Sequence, residues 1–181
     1  METVTEPVPP PTNPMRIIKL AKVTVHIGVG KSGEELEKAR KVLAEITGQK
    51  PCTKQAKRTL KDFNIREGEP ISCLTTLRGE QATEFLKRGL EAVSNSLKAS
   101  SFDDNGNFAF GVKEHIEIPG TKYVPELGIF GMDIIGTLER PGFRIKRRRV
   151  RPASVGKSHR ISRDEAVKFV TENFGTQIKG A

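Results

Sequence analysis

Residues 17–29, IIKLAKVTVHIGV, constrain the fold more than any other stretch of the chain. Val23, Val25 and Ile27 alternate with Thr24, His26 and Gly28, the two-residue period of a strand with one face in a core and the other outside it. His26 falls on the outer face. A sheet built on such a strand needs a second layer against one side.

The strand runs into GVGKSGEEL, residues 28–36, which has the outline of a phosphate-cradling turn. A Walker A loop needs a glycine five positions before the glycine of GKS, and that position is Val25. Gly28, Gly30 and Gly33 do satisfy G-x-G-x-x-G. A dinucleotide site would add an acid roughly 20 residues onward to hold a ribose hydroxyl, but TGQKPCTKQAK has none. The glycines therefore read as what a chain needs when it leaves a strand for a helix. A nucleotide-dependent enzyme is the alternative.

Ser32-x-x-Glu35 has the form of a capping box, and Leu36, Ala39, Leu43 and Ile46 follow at helical spacing up to Gly48. Residues 50–69 show little periodicity and read as a long basic loop. The extended segment 71–77 leads into a helix carrying Ala82, Phe85, Leu86, Leu90, Val93 and Leu97. Turn signals at Asn105-Gly106 and Pro119-Gly120 frame strands near 107–118 and 132–138. Ser162-x-x-Glu165 caps a last helix with Ala166, Phe169, Val170 and Phe174 inward, closed by Gly175. Residues 1–14 hold five prolines and almost no large apolar group, the composition of a disordered tail. The expected architecture is α+β, a single domain over residues 15–181 with helices on one face of a largely antiparallel sheet and long basic loops.

The formal net charge of +9 favours a polyanionic partner. Acids and bases interleave through the two long helices, yet residues 50–61 and 140–163 contain no acid at all. Such segregation points to phosphate contact, and Arg is the better bidentate phosphate ligand. In RIKRRRVR this makes Arg144, Lys146, Arg147, Arg148, Arg149 and Arg151 candidate phosphate ligands. His26, His115 and His159 have no partner that would make a catalytic set, and His115 reads as a strand histidine. Cys52 and Cys73 lack metal-ligand spacing. No catalytic residue, metal, cofactor or homo-oligomer is expected. No run approaches the ~18 apolar residues of a membrane span and no signal peptide is visible, so no membrane partner is expected either. With 6% aromatic residues, no Trp and no RNP1 pattern, the partner reads as folded, helical RNA recognised by shape. A free RNA chaperone or tRNA-binding module is a second alternative.

NPMRIIKL, VTVHIGVGKSGEELEKARKVLAEITGQKP, KQAKRTLKDFNIREGEPI, TTLRGEQATEFLKRGL, GNFAFGVKEHIEI, GIFGMDI, RPGFRIKRRR and GKSHRIS together resemble the universal large-subunit ribosomal protein that binds 5S rRNA, the family numbered five in bacteria and eleven in eukaryotes. The resemblance runs from Asn13 onward in family order and is similar to the archaeal and eukaryotic branch. It implies a structural, cytoplasmic ribosomal protein of the central protuberance that contacts 5S rRNA, large-subunit rRNA, P-site tRNA and a small-subunit protein across an intersubunit bridge. It implies 5S rRNA contacts at His26, where the family more often has Asn, and at Gln49, Lys54 and Thr76. Residues 54–68 resemble the tRNA-facing loop, with Lys57, Arg58, Lys61 and Arg66 as phosphate ligands; a core-facing role for Phe63 and Ile65, anchoring the loop, is the alternative for those two residues.

Overall fold

A computed structural model describes residues 13–180. Most of the expected tail, residues 1–12, lies outside them. Asn13 is within them, and its side chain accepts a hydrogen bond from the Met15 amide at 2.9 Å, capping a 3-10 turn at Pro14–Arg16.

The described chain forms β1 (Lys19–Gly28), α1 (Glu34–Thr47), β2 (Cys52–Gln55), β3 (Pro70–Leu77), α2 (Glu80–Ala92), β4 (Ser96–Lys98), β5 (Asn107–Val112), β6 (Met132–Glu139), α3 (Arg163–Phe174) and β7 (Gln177–Lys179). Five strands make one antiparallel sheet in the order β2-β3-β1-β6-β5, and β4 and β7 make a small parallel pair. The fold is α+β, as the sequence predicts. No described helix is long and apolar enough to cross a membrane.

One hydrophobic cluster unites Val23, Val25 and Ile27 of β1, Leu36, Ala39, Leu43 and Ile46 of α1, Phe85, Leu86 and Leu90 of α2, and Ile134 and Leu138 of β6. Two glycines set how closely its layers approach. A Cβ at Gly136 would overlap the Phe108 ring, so the bare backbone there is what lets that ring cross the sheet. A Cβ at Gly89 in α2 would lie 2.7 Å from Ile134, so the helix can rest directly on β6.

Five expectations need correction. The Ser32 capping box does not form. Gly33 is the N-cap of α1 at φ 111°, the Ser32 hydroxyl turns away to donate to Glu69, and Glu34, Glu35 and Glu37 complement the helix dipole instead. Residues 50–69 are not simply a loop, since they contain β2. That strand is exposed along its whole length at the sheet edge, so no burial imposes an alternation that sequence could reveal. The second helix stops at Ala92, because Ser94 and Asn95 adopt positive φ of 54° and 49°; Leu97 is buried from β4 rather than from a helix. The strand expected over 107–118 ends at Val112. Finally, His115 lies not in a strand but in a 3-10 turn, 2% exposed, where its ring Nδ1 accepts the Phe130 amide at 3.3 Å.

Burial of His115 disfavours its imidazolium and holds its pKa below the ordinary 6.5, while nearby Glu45 and Glu114 pull the other way. The unfolded chain therefore binds the proton more readily. The associated stability is fully present above pH about 6.5 and is lost as pH falls through the lower folded value. Thermal melts between pH 7 and pH 5 should show a falling midpoint, and His115→Gln, which cannot titrate, should flatten that part of the curve. An identical slope in the variant would remove His115 as its source.

Candidate nucleic-acid interface

Strand register sorts the sheet into two faces. Opposite residues in antiparallel pairs share a face, so Val23 with Leu77, Val25 with Thr75 and Ile27 with Cys73 point to the core. The other face carries rows that cross the sheet. One runs Cys52, Leu74, His26, Asp133, Gly111; the next runs Thr76, Thr24, Ile135, Ala109. Lys54 begins a further row opposite Ser72. Cys52, Lys54, Ala109, Gly111 and Asp133 are exposed, and His26, Thr24, Leu74, Thr76 and Ile135 are half-buried. Among the described residues nothing covers this face, which mixes polar groups with Leu74, Ile135, Ala109 and Gly111 and is built of small or medium side chains.

The structure thus brings His26, Lys54 and Thr76 onto one surface. His26 Nδ1 lies 3.5 Å from Asp133 Oδ2 in the directly opposite position. Gln49 sits apart from the strands, just past the Gly48 cap of α1, with its side-chain amide donating to Gln81 at 2.7 Å. The sequence reading missed Asp133, Thr24 and Ile135. The alternation of Ile134 and Leu138 was the available signal, since it sends Asp133 and Ile135 to the opposite face.

The face also separates the two thiols. Cys52 is exposed on it, whereas Cys73 is buried in the core, where desolvation pushes its pKa up to about 11. Native protein should consume one equivalent of iodoacetamide at pH 8, at Cys52, and a second only on unfolding. Rapid native modification of Cys73 would contradict the register.

Part of the GVGKSG turn is committed to the neighbouring chain. The Val29 and Gly30 amides both donate to the Ile71 carbonyl, at 3.1 and 2.9 Å, and the Ser32 hydroxyl donates to Glu69. A phosphate cradle would need such donors free and converging. Glu69 also accepts the Arg66 amide at 3.1 Å, and these bonds, that from Ser32 foremost, lower its carboxyl pKa. The glycine turn braces the next feature.

That feature is a hairpin between β2 and β3. Ala56 donates to Glu69 at 2.8 Å and Gly68 to Ala56 at 3.0 Å, and farther out Leu60 and Ile65 exchange a bond pair at 2.9 and 3.1 Å. Asn64, at φ 55°, closes the tip. Lys57, Arg58, Lys61 and Arg66 are all exposed, and among the described residues none forms an ion pair. Phe63, expected as a candidate core anchor, is 69% exposed at the tip; Ile65 is half-buried. The hairpin is held by backbone pairing, not by that ring.

The arginine-rich segment follows β6 and is pinned to the core by Phe143, Val155 and Ile161. Arg144, Lys146, Arg147, Arg148, Arg149 and Arg151 are exposed. Arg147 pairs with Glu139, Lys146 lies over the Phe143 ring at 5.1 Å, and Arg148 donates to the Arg151 carbonyl at 2.8 Å. Arg140 belongs to this basic run by sequence but is buried and bound to the protein, so it is withdrawn from the phosphate-facing surface. Among the described residues no cluster of His, Cys, Asp and Glu could hold a metal ion.

Comparison with known proteins decides what kind of chain presents these surfaces. The family described as Ribosomal protein L5 matches residues 13–66, and the C-terminal region of the same ribosomal family matches residues 70–169. The chain belongs to the ribosomal protein L5 family. It is 54% identical over 167 residues to the large ribosomal subunit protein uL5 of Sulfurisphaera tokodaii, covering 92% of this chain and 94% of that one. The uL5 protein of Pyrobaculum aerophilum is 50% identical, at 92% and 93% coverage, and that of Aeropyrum pernix is 50% identical, at 90% and 85%. The two matched parts of this L5-family chain meet at the base of the hairpin, between β2 and β3, which are neighbours in one sheet.

Proposed function

We propose that the uncovered sheet face of this chain binds 5S rRNA, with His26, Lys54 and Thr76 on the face and Gln49 beside it. In this reading Arg144, Lys146, Arg147, Arg148, Arg149 and Arg151 hold large-subunit rRNA, and Lys57, Arg58, Lys61 and Arg66 present the hairpin to P-site tRNA. The chain helps attach 5S rRNA in the central protuberance and takes part in a bridge to a small-subunit protein. Membership of the family makes it a structural protein of the large ribosomal subunit, located with cytoplasmic ribosomes, and in this reading it has no catalytic role. The finer assignments are supported chiefly by one observation: among the described residues a broad sheet face carries no helix, while the exposed bases stand on a hairpin and a turn at its margins.

Two experiments test the division of labour. His26→Ala with Gln49→Ala should weaken 5S rRNA binding by roughly 1 to 3 kcal/mol, the range for hydrogen bonds lost to a partner left unpaired. Bound 5S rRNA should also slow alkylation of Cys52, which shares a row with His26. Unchanged affinity together with unprotected Cys52 would move the site off this face. Replacing Lys57, Arg58 and Lys61 with alanine should leave 5S rRNA binding and subunit assembly intact yet loosen P-site tRNA, with an effect that fades as salt rises. If that variant instead loses isolated 5S rRNA and retains tRNA normally, the hairpin belongs to the rRNA site.

A further inference from the structure

We infer that the hairpin tip is a stacking contact, in which Phe63, supported by Leu60, lies against an exposed base face of folded RNA. The inference rests on the proposal that the hairpin meets tRNA, and it concerns how contact is made. The phosphate ligands proposed there explain the charge of the hairpin but not its apolar end. Phe63 is 69% exposed and Leu60 49%, both at the same tip, whereas most of the chain's phenylalanines are buried or half-buried. A lone exposed apolar residue needs no explanation. A pair of them on a braced hairpin that also carries the exposed cations Lys57, Arg58, Lys61 and Arg66 calls for a partner that offers an apolar face together with anionic groups.

RNA has that chemistry only where a base face is uncovered. Within an A-form helix the faces are hidden in the stack and phosphates line the outside, so an aryl ring gains nothing there. At an unpaired base, or at the end of a stack where folded RNA turns a corner, a face lies open with phosphates around it. Between Lys54 and Gly68 the bases Lys54, Lys57, Arg58, Lys61 and Arg66 outnumber the acids Asp62 and Glu67, which favours RNA over an acid-poor protein surface. The geometry is also pre-set. The Leu60–Ile65 bond pair, the left-handed Asn64, the Thr59 hydroxyl accepting from the Glu67 amide at 3.0 Å and the Ser32–Glu69 bond at the base hold the tip in one shape. Little ordering is left to oppose stacking.

The chain contains no Trp, so Phe63→Trp in the full-length protein places a single indole at the tip. Titration with deacylated bulk tRNA at low salt should quench its emission at least twofold. Poly(A)·poly(U) duplex at equal phosphate concentration, bound equally by filter assay, should leave it nearly unchanged. Phe63→Ala should weaken tRNA binding about tenfold and Phe63→Tyr should restore it. Lys57→Ala with Arg58→Ala should shift the titration to higher tRNA but leave the quench plateau unchanged. Because Phe63 supports no buried contact, circular dichroism should show all these variants folded. Normal tRNA binding without quench, equal quench by duplex, or a crosslink from the tip to a small-subunit protein instead of RNA overturns the stacking contact alone. Failure of the chain to bind tRNA at all overturns the tRNA assignment of the hairpin and this inference with it.

Discussion

Arg140→Met should lower folding stability by about 3 kcal/mol, roughly 1 kcal/mol for each of three carbonyls that lose a donor. Arg140 is 7% exposed at the end of β6, and its guanidinium ties together segments far apart in sequence. It donates to Arg16 O at 3.2 Å, to His159 O at 3.4 Å and to Arg160 O at 3.2 Å, and pairs with Glu165 at 2.7 Å. Methionine fills the volume but strands three carbonyls, each lacking its donor. Glu165 loses less, since its side chain is 41% exposed and the Ser162 capping box still holds it. Burial alone would raise the Glu165 pKa; the Ser162 amide and the Arg140 guanidinium more than reverse this and lower it. Urea unfolding should show a lower midpoint at constant m-value. A midpoint within a few tenths of a kcal/mol of the parent would mean that Arg140 is an ordinary surface base.

The second large effect concerns RNA. Changing Arg144, Arg149 and Arg151 to glutamine should weaken binding to large-subunit rRNA by about 10²- to 10³-fold near 0.1 M salt. The size follows from counterion release, since each phosphate contact contributes about 0.9 to the slope of log affinity against log salt. Three lost contacts should also flatten that slope by about 2 to 3. These three side chains are exposed and in no ion pair among the described residues, so the fold should be unaffected. The slope is the decisive measurement: weaker binding at an unaltered slope would mean that the arginines act through shape rather than charge.

How far sequence reaches into this fold depends on whether burial imposes a period. Val23, Val25 and Ile27 are buried on one side only, so their alternation was readable and correctly put His26 on the open face. Ser162 and Glu165 form their box because nothing competes for the serine, while the same pattern at Ser32 fails because Glu69, 37 residues away, takes the hydroxyl. β2 escaped notice since neither of its sides is covered. Charge segregation marked residues 140–163 as basic but could not separate Arg140, which turns inward, from Arg144 and Arg149, which do not. That difference arises from where Arg16, His159 and Glu165 come together in three dimensions.

The bareness of β2 has a consequence for copies of the chain that have not met RNA. It is the last strand of its sheet, with an outer row of amides and carbonyls that no other strand in the sheet pairs. Beside it lies the uncovered face, including the half-buried Leu74 and Ile135. An orphan copy is therefore a template for edge-to-edge self-association. Two features blunt the risk: the strand is only four residues long, and Lys50, Lys54 and Lys57 within and beside it repel an identical edge. Neutralising those lysines in RNA-free protein should promote aggregation. The same charges that attract a polyanion thus act as gatekeepers until one arrives, and a supply of chain in excess of its RNA is a solubility problem rather than a reserve.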